Sequence, residues 1–87
     1  MGLDIGKVTI EPLPRPVGLA YEFARQLASE AGCVGDGNAF GFYLRSEMEE
    51  RAKEFAEGNP LAEQILLDWI AGLPWDEDGC LILHFDW

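Results

Sequence analysis

Residues 39–60 read AFGFYLRSEMEERAKEFAEGNP, and this stretch determines most of the expected fold. Large apolar side chains recur at every second position of its first seven residues, which predicts a β-strand over residues 39–45. Ser46 and Glu49 then match the S-x-x-E capping box that opens a helix, and Gly58 is placed to end that helix. The sequence therefore predicts a strand that leads directly into a second helix.

Two further helices are expected on either side of this stretch. Apolar residues at helical spacing predict a first helix from about Pro16 to Ala31, which Gly32 would end. The glycine-rich residues 34–38 that follow it are typical of a turn. Asn59 supplies a capping side chain and is followed by a proline, so a third helix is expected over residues 60–71.

Two more strands complete the expected fold. Residues 7–11 alternate apolar and polar side chains before a proline-rich stretch, and residues 80–87 alternate after the acidic turn 76–79. The predicted order is β-α-β-α-α-β, an α+β fold in which helices pack on a small sheet of about three strands. The whole chain, residues 1–87, is expected to form one domain. If its first two strands are parallel neighbours, the first helix would be their right-handed crossover.

Apolar patterning within the elements predicts which side chains share a face. In the strand over 39–45, three large apolar residues lie on one side and three residues on the other: Phe40, Phe42 and Leu44, against Gly41, Tyr43 and Arg45. Leu67 falls outside the broad apolar arc of the third helix, among Glu63, Gln64 and Ala71. It is therefore either a singly exposed leucine or an apolar anchor for a partner. Trp75 and Trp87 are candidates for the same anchoring role, although core packing is the favoured interpretation for both.

Charge is the other feature that separates this chain from an average small domain. Sixteen acidic residues stand against six Lys and Arg, which gives a formal net charge of −10. No Lys or Arg follows Lys53, although eight Asp and Glu residues do. A negative field of this kind repels nucleic acid and anionic membranes and attracts basic protein surfaces. No apolar run approaches the roughly 20 residues that a membrane span requires.

The second helix concentrates part of this charge on one side. Glu47, Glu50, Glu54 and Glu57 fall within an arc of roughly 80° at 100° per residue, opposite the apolar side of the helix. Ion pairs from Glu47 to Arg51 and from Glu49 to Lys53 are expected to relieve some of their repulsion. The row of carboxylates is either a solvated helix face or a surface that basic side chains grip. The candidate partner-binding residues are Glu47, Glu50, Glu54, Glu57, Glu63, Asp68, Asp76, Glu77 and Asp78.

No motif in the sequence predicts catalysis, a cofactor or a metal. Cys80 and His84 lie four residues apart on an expected strand, which separates them by about 13 Å. The acidic turn 76–79 lacks the glutamate that an EF-hand loop needs, because Phe85 occupies that position. We therefore expect a protein that is not an enzyme and that binds no cofactor. With two cysteines, Cys33 and Cys80, the simplest interpretation is a cytoplasmic protein with free thiols.

The leading hypothesis from the sequence is a small acidic protein-binding module. In its sharpest form it is an inhibitor or nucleic-acid-mimicking decoy that occupies a basic groove of a nucleic-acid-handling protein, anti-CRISPR-like in charge and size only. The expected partner is a basic protein surface, with no direct binding of nucleic acid or membrane and an open oligomeric state. An antitoxin or immunity-type partner is an alternative. A homodimeric structural protein that pairs through its last strand is another.

Overall fold

The computed structural model describes residues 10–35 and 37–86. The fold class is α+β, as predicted, with three helices and an antiparallel sheet. The elements in chain order are α1 (Gly18–Glu30), β1 (Gly32–Gly35), β2 (Asn38–Leu44), α2 (Arg45–Ala56), α3 (Pro60–Ala71) and β3 (Cys80–Asp86).

The main part of the sheet is the antiparallel pair β2–β3. Its register is unbroken from Asn38 opposite Asp86 to Leu44 opposite Cys80. β1 lies on the other side of β2 and is also antiparallel, but its register shifts between residues 33 and 35. The sheet is thus a regular two-strand pair with a short, irregular strand at one edge.

The predicted element order is wrong over the described residues. β1 lies partly within residues 34–38, which were expected to form a turn, and Gly37, the described residue between β1 and β2, is in a turn at φ 72°. A glycine-rich segment gives no apolar pattern for a strand, and β1 forms only because β2 offers it backbone partners. Most of the strand expected over residues 7–11 lies outside the described residues, and Ile10 and Glu11 are not in a strand.

α1 and α2 contact β2 directly, and α3 packs against these two helices within the same core. From the sheet, the core receives Ala39 and Tyr43 of β2 and Leu83 of β3, each no more than 8% exposed. The opposite face of the sheet is apolar as well, yet it is open: Phe42 is 63% exposed and Ile82 is 66% exposed. The core cluster comprises Phe23, Leu27, Tyr43, Met48, Ala52, Leu66, Ile70 and Leu83.

Gly41 has a packing role on the inner face of β2. A Cβ atom added at residue 41 would overlap the ring of Tyr43, two residues along the same face. The missing side chain therefore leaves room for an aromatic ring to lie flat along the strand. That ring is buried and meets Phe85 edge-on, with ring centroids 6.4 Å apart. Gly41 thus provides the space in which the side chain of Tyr43 packs.

The ends of α3 follow the sequence closely. Asn59 Oδ1 accepts the backbone N–H groups of Leu61 at 3.0 Å and of Ala62 at 3.2 Å, and Pro60 begins the helix. This side-chain cap satisfies two of the donors that a helix start leaves free.

The ends of α2 differ from the prediction. The helix starts at Arg45, its N-cap Leu44 makes no side-chain hydrogen bond, and the expected capping box at Ser46 does not form. Instead, the N–H of Arg45 donates to the carbonyl of Gly79 at 2.8 Å, which continues the β2–β3 pairing by one residue. The helix ends at Ala56, because Glu57 adopts a left-handed conformation at φ 51°.

Candidate functional site

The carboxylate-bearing face of α2 points away from the core. Met48, Ala52 and Ala56 are buried on the inner side of the helix, at 7% exposure or less. The four glutamates of the predicted row are all exposed, as the helical spacing indicated: Glu47, Glu50, Glu54 and Glu57. With a rise of 1.5 Å per residue, the helical part of the row, from Glu47 to Glu54, is about 10 Å long, and Glu57 follows at the C-cap of α2. We call these four residues the acidic face.

The expected ion pairs along α2 are wrong. Arg51 contacts Glu30 of α1 and not Glu47, so its charge ties two helices together. Lys53 lies 3.6 Å from Glu50 and does not contact Glu49. Sequence spacing on one helix cannot reveal that a neighbouring helix offers a competing carboxylate.

This rearrangement leaves most of the acidic face without a counter-charge. Among the ion pairs formed between described residues, none includes Glu47, Glu54 or Glu57. Glu50 has only the exposed contact with Lys53, which contributes little because both side chains are well solvated. The remaining basic side chain of α2, Arg45, lies 3.6 Å from a glutamate outside the acidic face. The acidic face thus keeps a net negative charge.

The acidic turn 76–79 adjoins the start of α2. The hydrogen bond from Arg45 to Gly79 places this turn beside the first residues of the helix. Asp76 holds the turn itself: its Oδ1 accepts the N–H of Asp78 at 2.9 Å and that of Cys80 at 2.8 Å. Glu77 and Asp78 are exposed. Asp76 therefore has a structural function, while its two neighbours extend the charged surface.

Glu63 and Asp68, the other predicted partner-binding residues, have local roles on α3. Glu63 is half-buried in the first turn of the helix, where a negative charge interacts favourably with the helix dipole. Asp68 accepts a hydrogen bond from Gln64 Nε2 at 2.8 Å. Since α3 packs against the inner side of α2, we place these two carboxylates apart from the acidic face.

A groove between α1 and α2 borders the acidic face, and sequence reasoning missed it. Its volume is about 480 Å³, and the aromatic rings of Phe23 and Phe55 lie along it, 5.4 Å apart and edge to face. Glu54 and Glu57 line the groove as well. The only signal in the sequence was a phenylalanine next to the glutamates of the second helix. The contribution of α1 comes from tertiary packing alone.

Exposed apolar residues on α3 are not the ones that the sequence indicated. Leu67 is half-buried, whereas Leu61 is 71% exposed and Ile65 is 44% exposed. The apolar arc of this helix is wider than the surface that its neighbours cover. Trp75 packs against the core and donates its Nε1–H to the carbonyl of Ile70 at 2.8 Å. Trp87 lies outside the described residues.

His84 and Cys80 both have structural surroundings. The Nε2–H of His84 donates to Asn38 Oδ1 at 2.7 Å, and its ring lies 4.8 Å from that of Phe40. Cys80 is a free thiol. Local desolvation, together with the carboxylates of Asp76 and Asp78, raises the pKa of this thiol. At neutral pH, Cys80 therefore stays protonated and is a weak nucleophile.

The described part of the chain shows no metal-binding cluster, since nowhere in it do three or more His, Cys, Asp or Glu side chains gather suitably. Within residues 10–35 and 37–86, no helix combines the length and the hydrophobicity needed to cross a bilayer. Comparisons with protein-family models, with curated proteins and with solved structures find no match.

Proposed function

We propose that this protein is a binding module that docks through its acidic face onto a basic protein surface. In the most specific form of the proposal, the partner handles nucleic acid, and the carboxylates of α2 occupy the groove where Lys and Arg side chains otherwise meet phosphates. The protein would then act as an inhibitor or decoy. It would compete with the nucleic acid for one surface without binding nucleic acid itself.

One observation carries the proposal: the acidic face is exposed and largely unpaired although basic residues are available on the same helix. Arg51 is directed to Glu30 on α1, which leaves Glu47 without the expected partner. Carboxylates that are exposed and uncompensated give a potential that accelerates encounter with a cationic surface. This attraction acts within a Debye length of about 8 Å at physiological salt, so it should weaken steeply as salt is added.

The adjoining groove supplies what a charged surface alone lacks. Interfaces gain much of their stability from a few aromatic anchors that become buried, with charges at the rim. Phe55 is half-buried at this groove, and Glu54 and Glu57 stand at its border. A partner side chain that covers Phe55 would bring its own Lys or Arg neighbours within reach of both glutamates.

The experiment compares two variants of equal net charge. The first neutralises the acidic face (E47Q/E50Q/E54Q/E57Q), and the second removes four exposed or half-buried carboxylates elsewhere (E11Q/E63Q/D68N/D86N). Each tagged variant and the parent protein would be incubated with native lysate at low and at high salt, and the captured proteins identified. Nucleic-acid binding by any captured protein would then be measured with and without the parent protein.

We expect the parent and the second variant to capture the same basic protein, and the first variant to lose at least about tenfold of that capture. Addition of the parent protein should displace nucleic acid from the partner. Equal losses in both variants would show that only total charge matters, and equal retention would remove the acidic face from the interface. Circular dichroism of both variants checks that the fold is kept.

A further inference from the structure

Among the strands that the structure describes, β3 lies at an edge of the sheet. The strand order is β1-β2-β3, so only one side of β3 is paired with a described strand. An edge strand presents unpaired N–H and C=O groups, which can act as a template for another chain. In this protein the edge is seven residues long, from Cys80 to Asp86.

The turn before β3 shows which backbone groups face outward. Asp76 lies on the outer side of Cys80: its N–H donates to the Cys80 carbonyl at 3.0 Å, and its Oδ1 accepts the Cys80 N–H at 2.8 Å. Outward and inward residues alternate along an antiparallel strand. The backbone groups of Ile82, His84 and Asp86 therefore also face outward. Asp76 pairs with the outer side of β3 as a residue of an added strand would.

On the outer face beside this edge, Ile82 and His84 lie in the middle and carboxylates stand at both ends. Ile82 is 66% exposed and lies directly opposite Phe42, which is 63% exposed. Glu77 and Asp78 stand at one end of β3, and Asp86 at the other, all three exposed. In a chain with a net charge of −10, the middle of this face has been kept free of carboxylates.

We propose that residues 82–86 of β3 receive an extended segment of a basic protein, which adds a strand to the sheet. The segment would hydrogen-bond to the outward backbone groups of Ile82 and His84. An apolar side chain would cover Ile82 and Phe42, and a Lys or Arg at each end would meet the acidic turn and Asp86. This surface lies on the sheet and not at the acidic face, so the proposal stands independently of the proposed function.

A second copy of this chain suits the edge poorly. Because Asp76 already occupies the position beside Cys80, two antiparallel β3 strands can pair only over residues 82–86. In that register Asp86 of each copy lies opposite Ile82 of the other and close to its acidic turn, so carboxylates approach at both ends. Each copy also brings a net charge of −10. With a cationic segment in place of the second copy, each of these repulsive interactions becomes attractive.

A designed peptide tests the proposal on the full-length protein. The probe is a blocked seven-residue peptide with lysine at both ends and alternating threonine and valine between them. Amide hydrogen exchange would be followed by NMR as the peptide is added. We expect exchange at Ile82 and His84 to slow by at least about tenfold at saturation, because their N–H groups gain partners. Exchange at Leu81 and Leu83, which already pair with β2, should change much less.

Matched probes and variants separate strand addition from simple adhesion. The peptide with N-methyl groups on its bonding amides, and the peptide with glutamate at both ends, should each bind at least about tenfold more weakly. I82P removes one outward N–H and should abolish the protection, whereas I82T keeps that N–H and should retain it. If I82P does not fold, the N-methylated peptide still tests whether backbone hydrogen bonds are needed for binding. Two results would overturn the proposal. One is slow exchange at Ile82 and His84 without peptide, together with a dimer in sedimentation. The other is a lack of protection by the lysine peptide.

Discussion

Replacing Gly41 with alanine should destabilise the protein by displacing a core aromatic ring. The new Cβ atom would overlap the ring of Tyr43, with Cε2 only 2.6 Å away. A contact this short forces the tyrosine to rotate out of its site. The ring would then lose most of its burial and its edge-on contact with Phe85.

The expected cost of this displacement follows from the burial of Tyr43. Removing a buried aromatic side chain costs about 3–5 kcal/mol, and a displaced ring regains part of that by packing elsewhere. Alanine in place of glycine within a strand returns about 0.5–1 kcal/mol, because the unfolded chain has less freedom to lose. We therefore expect G41A to lower the free energy of unfolding by about 2–3 kcal/mol. That is a large fraction of the about 5–15 kcal/mol typical of a small domain.

A double-mutant cycle isolates the mechanism. Y43A should cost about 3–4 kcal/mol by itself, whereas G41A/Y43A should cost slightly less than Y43A, because no ring remains to clash. The two substitutions should thus show a coupling energy of about 3 kcal/mol. Urea unfolding followed by the fluorescence of the three tryptophans measures each free energy. Additive costs would refute the steric explanation, and so would a stable G41A single variant.

Three further predictions concern caps, turns and the thiol. N59A should lower the free energy of unfolding by about 1 kcal/mol because the α3 cap is lost, whereas S46A should leave it nearly unchanged; urea unfolding of both variants checks this contrast. D76A should cost about 1–3 kcal/mol, since two turn N–H groups lose their acceptor; thermal unfolding measures the loss, and an unchanged midpoint would contradict the assigned turn function. The raised pKa of Cys80 keeps its thiolate scarce at neutral pH, so labelling by a thiol reagent should reach its half-maximal rate at a higher pH than for a free cysteine. D78N should move that midpoint to lower pH, and an unmoved midpoint would exclude the carboxylate as a cause.

Features encoded by neighbouring residues could be predicted from the sequence. The cap at Asn59 and the first-turn proline locate the start of α3 because the contacts span only two or three residues. The exposed glutamates of α2 follow from helical spacing alone. The α+β class follows from the succession of apolar patterns.

Features that depend on distant contacts could not be predicted. The start of α2 was misplaced at Ser46 because the N–H of Arg45 finds its acceptor in the turn before β3, more than thirty residues further along the chain. β1 is four residues long with glycine at both ends, which is too short an apolar pattern to predict a strand. The groove beside Phe55 is lined by residues of both α1 and α2, and no local sequence pattern shows how two helices pack.

The buried face of β2 is another feature that the local sequence pattern could not predict. Sequence pattern separates Phe40 and Phe42 from Tyr43, but hydrophobicity alone favours the phenylalanine side as the buried one. The structure buries Tyr43 because Gly41 makes room for its ring on that side. The buried face of β2 is thus the one on which β3 places Leu81, Leu83 and Phe85, and Gly41 leaves the space that Tyr43 needs there.

The open face formed by Phe42 and Ile82 has a consequence for the behaviour of the protein in solution. At neutral pH, mutual repulsion between molecules keeps these apolar faces apart. Near the isoelectric point of about 4.2, that repulsion disappears while the exposed apolar side chains remain. Colloidal stability should thus fail on mild acidification before the native fold does, and concentrated samples will stay clear only when buffered well above that point.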